Sequence, residues 1–337
     1  MNPLQHALRR LADGAALTSD ETAAAFGVIM RGEATPALIG ALLLALRARG
    51  ETPEEVAGAA RALREAMVTV ATGEGAPLVD TCGTGGGAVN TFNVSTAAAF
   101  VTAGAGARVA KHGNRSHTSK CGSADVLEAL GIDIMLAPDV AAKHLDDNGM
   151  VFFFAPNYHP AMRHVGPTRK ELGVPTIMNL VGPLANPAGV KRQVVGVADL
   201  PRARLLADAL LHLGVDHAMV VHGEIGMDEI SPAGKTEVWE VRDGMTSCWI
   251  LDPDDYDLAW PATDELAGGE PAENARRIER VLAGERDEGA RRAVLLNSAA
   301  AIYVAGLAES YADGVAVARE ALGSGRAGEV LSRMRRR

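Results

Sequence analysis

The chain of 337 residues predicts an α/β protein: a small all-helical domain, then a larger α/β domain with a mostly parallel central sheet and helices on both faces. Three observations carry this expectation. Residues 1 to about 70 show helical spacing and helix stop signals but no strand candidate. From Ala76 short apolar runs alternate with helical stretches, the order expected of parallel strands joined by crossover helices. From Glu273 onward the pattern is helical again. Apolar residues make up 47% of the chain and aromatics only 4%, and the bulk is Ala, Leu, Val and Gly, which suits helices packed on a sheet. The length admits a sizeable core and two domains.

Each element has its own signal. Leu4, Ala7, Leu8 and Leu11 recur at helical spacing. Thr35-Pro36 and Thr52-Pro53 each read as an N-cap followed by proline at the first helical position. Thr52 with Glu55 completes a capping box. Gly32 and Gly50 stand where helices stop. Strands are expected at Pro77–Cys82, Ala107–Lys111, Met150–Ala155, Gln193–Ala198 and Ala218–His222, with a helix over 201–213. Thr236–Val241 and Thr246–Leu251 read as antiparallel additions. Ligands of such sheets sit at the carboxyl ends of the strands, so the loops there are the place to look.

Composition narrows the class. A net charge of −9 argues against nucleic acid as a partner, because binding a phosphate backbone needs clustered Lys and Arg. The basic tail from Arg333 to Arg337 is expected to be a frayed terminus. Cys82, Cys121 and Cys248 form no CxxC pair and leave an odd count, which fits reduced thiols in the cytoplasm. The N-terminal stretch lacks the apolar run of a signal peptide. Ala37–Leu46, the longest apolar stretch, falls short of the ~20 residues that span a bilayer, so no membrane partner is expected.

The chemistry starts at Asp80–Thr96, DTCGTGGGAVNTFNVST. Four glycines fall between positions 83 and 87, after a strand and before a helix from about Asn93. Glycines let backbone N–H groups approach an anion, and the helix start points its positive end the same way. Asn93, Ser95 and Thr96 add donors, and Ser95 is also a possible metal ligand. A phosphate is the expected guest. A P-loop fits poorly, because no Lys-Ser/Thr pair follows the last glycine. A dinucleotide fingerprint through Gly83, Gly85 and Ala88 calls for an acidic residue after the second strand. The chain instead offers Lys111-His112-Gly113-Asn114-Arg115-Ser116, a cationic, amide-rich loop that suits more phosphate. Further on, Gly166-Pro167 is expected to restart a helix with Arg169 in its first turn. A cation there opposes the helix dipole unless an anion intervenes.

GTGG followed by NVST, then KHGNRS and GSADVLEALG, together resemble the anthranilate phosphoribosyltransferase family. Tyr158–Arg163 (YHPAMR), Arg169–Gly173 (RKELG), Asn179–Pro187 (NLVGPLANP) and Met227–Ser231 (MDEIS) keep the family's order. The helical N-terminus and tail fit as well, so nearly the whole chain is covered. The resemblance implies transfer of the phosphoribosyl group of phosphoribosyl pyrophosphate to the amine of anthranilate, with Mg2+ as cofactor. It implies that Gly83, Gly86, Gly87, Thr91, Asn93, Val94, Ser95 and Thr96 hold the donor, completed by Lys111, Asn114, Arg115, Ser119 and Ser123. Ser95, Asp228 and Glu229 would bind the metal. Gly83, Asn114 and Arg169 would meet anthranilate, with His112 and His159 beside it, and His112, Arg169 and His159 would be the catalytic residues. It also implies a homodimer, and a helical domain of residues 1–72 that recruits about 163–187, leaving 73–162 and 188–337 to the α/β domain. One position departs from the pattern: the family reads GTGGD, and this chain has Gly87 where the carboxylate stands. Two rival readings share the architecture. A pyrimidine nucleoside phosphorylase would want a different loop from KHGNRS and no Asp-Glu metal pair. A nucleic-acid-binding paralogue would be basic and lack Arg169 or that pair.

Overall fold

The computed structural model describes residues 2–73, 75–89, 91–116 and 119–335. Four helices come first: α1 (Pro3–Ala12), α2 (Ser19–Met30), α3 (Pro36–Arg49) and α4 (Pro53–Glu65). Their starts follow the expected chemistry. Thr35 accepts from the Leu38 N–H, and Thr52 and Glu55 cap each other's backbone at the head of α4. Glu55 does more than cap. Fully buried, it also accepts from the Leu17 N–H at 2.9 Å and pairs with Arg49, so one carboxylate ties the α1–α2 connection, α3 and α4 together.

A seven-stranded sheet follows, in the order β3-β2-β1-β4-β5-β6-β7. The strands are β1 (Leu78–Gly83), β2 (Arg108–Gly113), β3 (Met150–Phe154), β4 (Arg192–Gly196), β5 (His217–Gly223), β6 (Thr236–Arg242) and β7 (Met245–Leu251). The first five run parallel, and β6 and β7 are antiparallel, as the sequence predicts. From β1 the chain steps outward to β2 and β3, then returns to the other side of β1 as β4. The switch point between β1 and β4 is where such sheets leave a crevice.

Helices cover both faces: α5 (Val94–Gly104), α6 (Ser123–Ala129), α7 (Pro138–Asn148), α8 (Ala155–Tyr158), α9 (Gly166–Leu172), α10 (Met178–Val181), α11 (Leu200–His212), α12 (Pro271–Leu282), α13 (Glu288–Ala305), α14 (Tyr311–Gly323) and α15 (Arg326–Met334). Alternation along the strands sorts the core. On β5, Met219 and Val221 join the cluster of α5 and α12–α15, while Ala218 and Val220 join that of α1–α4 and α11. Ala161, Val165, Ile177, Met178 and Leu184 belong to the same cluster as α1–α4, and Arg64 on α4 donates to the Leu184 carbonyl at 2.7 Å. The segment between β3 and β4 therefore packs with the N-terminal helices.

The tail corrects one expectation. Val330, Leu331 and Met334 on α15 are buried, and Arg335 pairs with Glu279 on α12. An amphipathic helix docked on α5 and α12 ends the described chain, not a frayed end; Arg336 and Arg337 lie outside the described residues.

Replacing Glu55 by Ala leaves the Leu17 N–H and Arg49 without their carboxylate. We expect Glu55→Ala to cost about 3–5 kcal/mol in urea unfolding. Thr52→Ala, which removes only a cap, should cost about 1 kcal/mol.

Candidate active site

The carboxyl ends of β1, β2 and β4 open into a cleft of about 1150 Å³ facing α4, α9 and α10. That is room for a drug-sized ligand and a second, smaller one beside it. The glycine loop forms its floor. Gly85 and Gly86 adopt left-handed φ of 69° and 82°, which a side chain would strain, and the Gly86 and Gly87 N–H groups have no partner among the described residues. The loop turns straight into α5, whose first residues complete an amide-lined hollow.

Asn93 shapes the head of α5 without capping it. Its backbone is left-handed (φ 68°, ψ 49°), unusual for a residue with a side chain, and its amide group is tied elsewhere. Nδ2 donates to the Cys121 carbonyl at 3.0 Å, and Oδ1 accepts from Asn274 at 2.9 Å. The side chain therefore stabilises the strained turn, while the Asn93 carbonyl accepts from the Thr96 and Ala97 N–H groups and only the Val94 N–H is left without a partner among the described residues. Thr96 repeats the theme: its Oγ1 is buried without a partner among the described residues.

The carboxylates Asp228 and Glu229 face this hollow from the loop after β5. Asp228 Oδ2 accepts from the Gly85 N–H at 3.0 Å. Glu229 accepts from the Ser95 N–H at 3.1 Å and from Thr91 Oγ1 at 2.8 Å. Adjacent residues of a strand would face opposite ways; here the turn that brings Gly223 and Met227 together lets both point inward. Two features hold the loop. A Cβ on Gly196 would lie 1.6 Å from the Asp228 carbonyl, so only glycine at the end of β4 lets the loop cross. Asn297 on α13 grips the Ile230 backbone, accepting from its N–H at 3.0 Å and donating to its carbonyl at 2.9 Å.

These carboxylates have no ion-pair partner among the described residues. Burial raises the pKa of both, and the Asp228 charge pushes Glu229 further up. Two uncompensated carboxylates beside the Ser95 hydroxyl are hard oxygen donors too few to enclose an ion, and no group of three His, Cys, Asp or Glu gathers among the described residues. That fits Mg2+, which binds through one or two carboxylates and fills its shell with water and substrate phosphates. The departure at Gly87 lies against the same group. A Cβ there would stand 3.0 Å from Asp228 Oδ1 and 3.0 Å from the Gly226 carbonyl, so Asp228 occupies the ground a side chain at 87 would need.

Lys111 is buried under this floor. Its Nζ donates to the Thr81 carbonyl and lies 3.5 Å from Ser95 Oγ, and burial lowers its pKa. Gly83, Asn114, Ser119 and Ser123 line the cleft. Val94 and Arg115 sit differently. Val94 is fully buried in the core of α5 and reaches the cleft with no side-chain atom. Arg115 borders the cleft, but its guanidinium pairs with Asp125 and Glu128 on α6.

On the opposite wall His112 and His159 bring their Nε2 atoms to 3.2 Å, with ring centroids 5.0 Å apart. One Nε2 carries the hydrogen and the other accepts it. Burial lowers their pKa values to about 3 and about 4, with the neighbouring imidazole and Lys111 pushing His112 further down. Such imidazoles are neutral and weakly basic. Arg169 also lines the cleft, but not from a first turn: it is the fourth of seven residues in α9, its N–H already bonded to the Val165 carbonyl. The helix dipole therefore does not call for an anion at Arg169; its side chain does. Its guanidinium makes no ion pair or hydrogen bond among the described residues, and burial lowers its pKa. Asn274 and Asn297 leave no signal in the sequence. The two asparagines lie in an ordinary-looking helical tail, and their carbonyl and amide partners are distant in sequence.

A helical bundle joined to an α/β domain, with an anion hollow at the switch point, defines a group-transfer enzyme of the glycosyl transferase type. The helical bundle domain of a glycosyl transferase family matches residues 5–67, and its a/b domain matches residues 75–328. The anthranilate phosphoribosyltransferase of Geobacillus kaustophilus is 48% identical over 332 residues, covering 98% of this chain and 97% of its own. The crystal structure of the Thermus thermophilus enzyme of that name superposes with a TM-score of 0.92 at 41% identity, covering 99% of this chain and 98% of that one. The Saccharomyces cerevisiae enzyme, solved in complex with PRPP and Mg, gives 0.89 at 30% identity, with 98% and 96% covered. The chain belongs to the anthranilate phosphoribosyltransferase family.

The histidine pair makes stability depend on pH. Folded, both stay neutral down to about pH 4, whereas in the unfolded chain they take up protons below 6.5. The unfolded state therefore binds more protons in that window, and stability falls as pH drops. Melting temperatures of the wild type and of the double variant H112N/H159N should diverge between pH 6.5 and 5, with the wild type losing more on acidification.

Proposed function

We propose that this protein transfers the phosphoribosyl group of phosphoribosyl pyrophosphate to the amine of anthranilate, a step of tryptophan biosynthesis. The products are N-(5-phosphoribosyl)anthranilate and pyrophosphate. The observation that carries the reading is the hollow between the glycine loop and the head of α5, where the unbonded Gly86 and Gly87 amides meet two adjacent carboxylates, Asp228 and Glu229, that have no ion-pair partner among the described residues. Amides suit a diphosphate, and the carboxylates suit a divalent ion that bridges to it. The glycine loop, Asn93–Thr96, Thr91 and Lys111 form the donor half. Asp228, Glu229 and Ser95 would hold magnesium, which when bound stabilises the leaving diphosphate as a Lewis acid, a contribution of several kcal/mol.

The acceptor half is the wall of His112, His159, Asn114 and Arg169. The unpaired Arg169 guanidinium is a fork for the anthranilate carboxylate, and its planar donors would fix the ring's orientation. The amine of anthranilate keeps a free lone pair and needs no strong base, which suits the neutral imidazoles. They line the aromatic pocket and exclude water. Holding both substrates in line contributes about 7–11 kcal/mol toward the barrier. The −9 charge and the paired carboxylates beside the glycine loop disfavour both rival readings.

The helical unit of 1–72 with 163–187 and the α/β unit form the two walls, and their approach would carry Arg169 toward the donor. No helix among the described residues is long and apolar enough to cross a membrane, which agrees with a cytoplasmic enzyme. The exposed apolar surface of α3, where Leu44 is 50% accessible, supports a homodimer joined through the helical domain. A single-chain mass in sedimentation at micromolar concentration would count against that.

The direct test follows the loss of anthranilate fluorescence with phosphoribosyl pyrophosphate and magnesium present. Turnover is expected, and its absence sinks the reading. D228N/E229Q should remove magnesium-dependent turnover. Arg169→Ala should raise the KM for anthranilate by roughly tenfold or more, the cost of a lost charge-assisted pair, with a much smaller effect on the donor. Equal effects on both substrates would show that Arg169 does not meet the acceptor.

A further inference from the structure

Below the cleft, β1 and β2 come apart. Their backbone ladder is registered only at Leu78–Arg108 and Val79–Val109. Beyond that point Ala110 and His112 still present a carbonyl and an N–H toward β1, and side chains answer them. The Asp80 carboxylate accepts from the His112 N–H at 3.1 Å. Asn186 Nδ2 donates to the Ala110 carbonyl at 2.7 Å and to Asp80 Oδ2 at 2.8 Å. Gln193, the neighbour of Asp80 on β4, donates to the same oxygen at 3.3 Å and to the Pro183 carbonyl at 2.6 Å. A wedge of three side chains thus replaces the ladder and holds the strands open where the cleft begins.

Asp80 is fully buried, and Asn186 and Gln193 nearly so, and none of the three lines the cleft. They touch no substrate. What they hold is specific, however. Asp80 fixes the backbone of His112, whose imidazole meets His159. Asn186 and Gln193 anchor the two ends of 183–186, directly after Met178, Asn179 and Gly182, which form the cleft wall on the acceptor side. Lys111 reaches the other way, to Thr81 and Ser95 on the donor side. A buried carboxylate with three donors is costly to desolvate, and an apolar filling would hold the strands apart as well. Its directional bonds fix an angle that packing alone would leave loose.

We infer that Asp80, acting with Asn186, is a positioning residue that sets the geometry of the acceptor-amine half of the site. It does so by clamping His112 and the 176–187 segment to the open end of β1. The inference rests on the proposed function, and its test separates the two.

The experiment compares wild type, Asp80→Asn and Asn186→Ala in the anthranilate fluorescence assay, varying each substrate in turn with magnesium saturating. Asn at 80 keeps an acceptor for His112 but turns a donor toward Asn186 and Gln193. Asn186→Ala leaves the Asp80–His112 bond intact and frees only the 176–187 segment. Calorimetric binding of magnesium pyrophosphate serves as the donor-side readout. We expect both variants to lose roughly ten- to a hundredfold in kcat/KM for anthranilate, the scale of a small misplacement. The KM for the donor and the affinity for magnesium pyrophosphate should change less than about twofold, since the wedge's one bond toward the glycine loop, from Gln193 Nε2 to Cys82 Sγ at 3.4 Å, involves neither mutated side chain. Equal losses for both substrates, or a loss confined to the donor as expected if Asp80 acts through the charge of Lys111, overturn the inference. So does lowered melting temperature with an unchanged substrate balance, or failure of both variants to fold. If the wild type itself shows no turnover, the functional reading fails before the variants are compared.

Discussion

Everything in this site depends on a helix start that its own side chains leave uncapped. The first amides of a helix need partners, and most helices find them in a Ser, Thr, Asp or Asn at the N-cap. The head of α5 has Asn at that position and does not use it so. Asn274 and the Cys121 carbonyl hold the Asn93 amide aside, in a left-handed conformation. The Asn93 carbonyl takes up the Thr96 and Ala97 N–H groups, and the Glu229 carboxylate rests on that of Ser95. The protein thus places its own negative charges where a diphosphate would lie. Such an arrangement makes a bare anion unwelcome and a cation-bridged one favourable.

The supporting structure follows from keeping that hollow open and charged. Gly196 lets the 228–229 loop cross the end of β4, and Asn297 grips the loop from α13. The C-terminal helices, featureless in chemistry, therefore govern where the carboxylates stand. On the opposite side the Asp80–Asn186–Gln193 wedge separates β1 from β2 and ties the acceptor wall to the same strand that carries the glycine loop. The proposed donor and acceptor halves share β1 as their common frame. Chemistry by orientation requires that kind of common reference, because the two reacting groups must meet within a fraction of an ångström.

The two histidines show how burial selects a role. In water an imidazole is a serviceable base near neutral pH. Enclosed against each other and close to Lys111, these two lose the charged form and become a rigid, neutral pair. Arg169 is the counterpart: a half-buried cation on the cleft wall with no partner among the described residues, whose charge burial disfavours and an anionic guest would compensate.

By itself the sequence determined the alternation of strands and helices, the helix caps at Thr35 and Thr52, the strand positions to within two residues, and the glycine loop after β1. Those are local matters, settled by periodicity, turn residues and side-chain reach over a few positions. It pointed to Asp228 and Glu229 only through the family resemblance carried by Met227–Ser231, since two adjacent carboxylates by themselves read equally well as a solvated acidic turn. Tertiary structure alone decided that Asn93 serves the fold and not the helix cap, that Val94 is core, that Arg115 turns to α6, and that Arg169 lies past the first turn of α9. It alone brought in Asn274 and Asn297, and joined Asp80 to Asn186 across 106 positions. The physical reason is common to all of them. A hydrogen bond or a burial state depends on what the folded chain brings alongside, and neighbours distant in sequence leave no mark on the spacing of either partner.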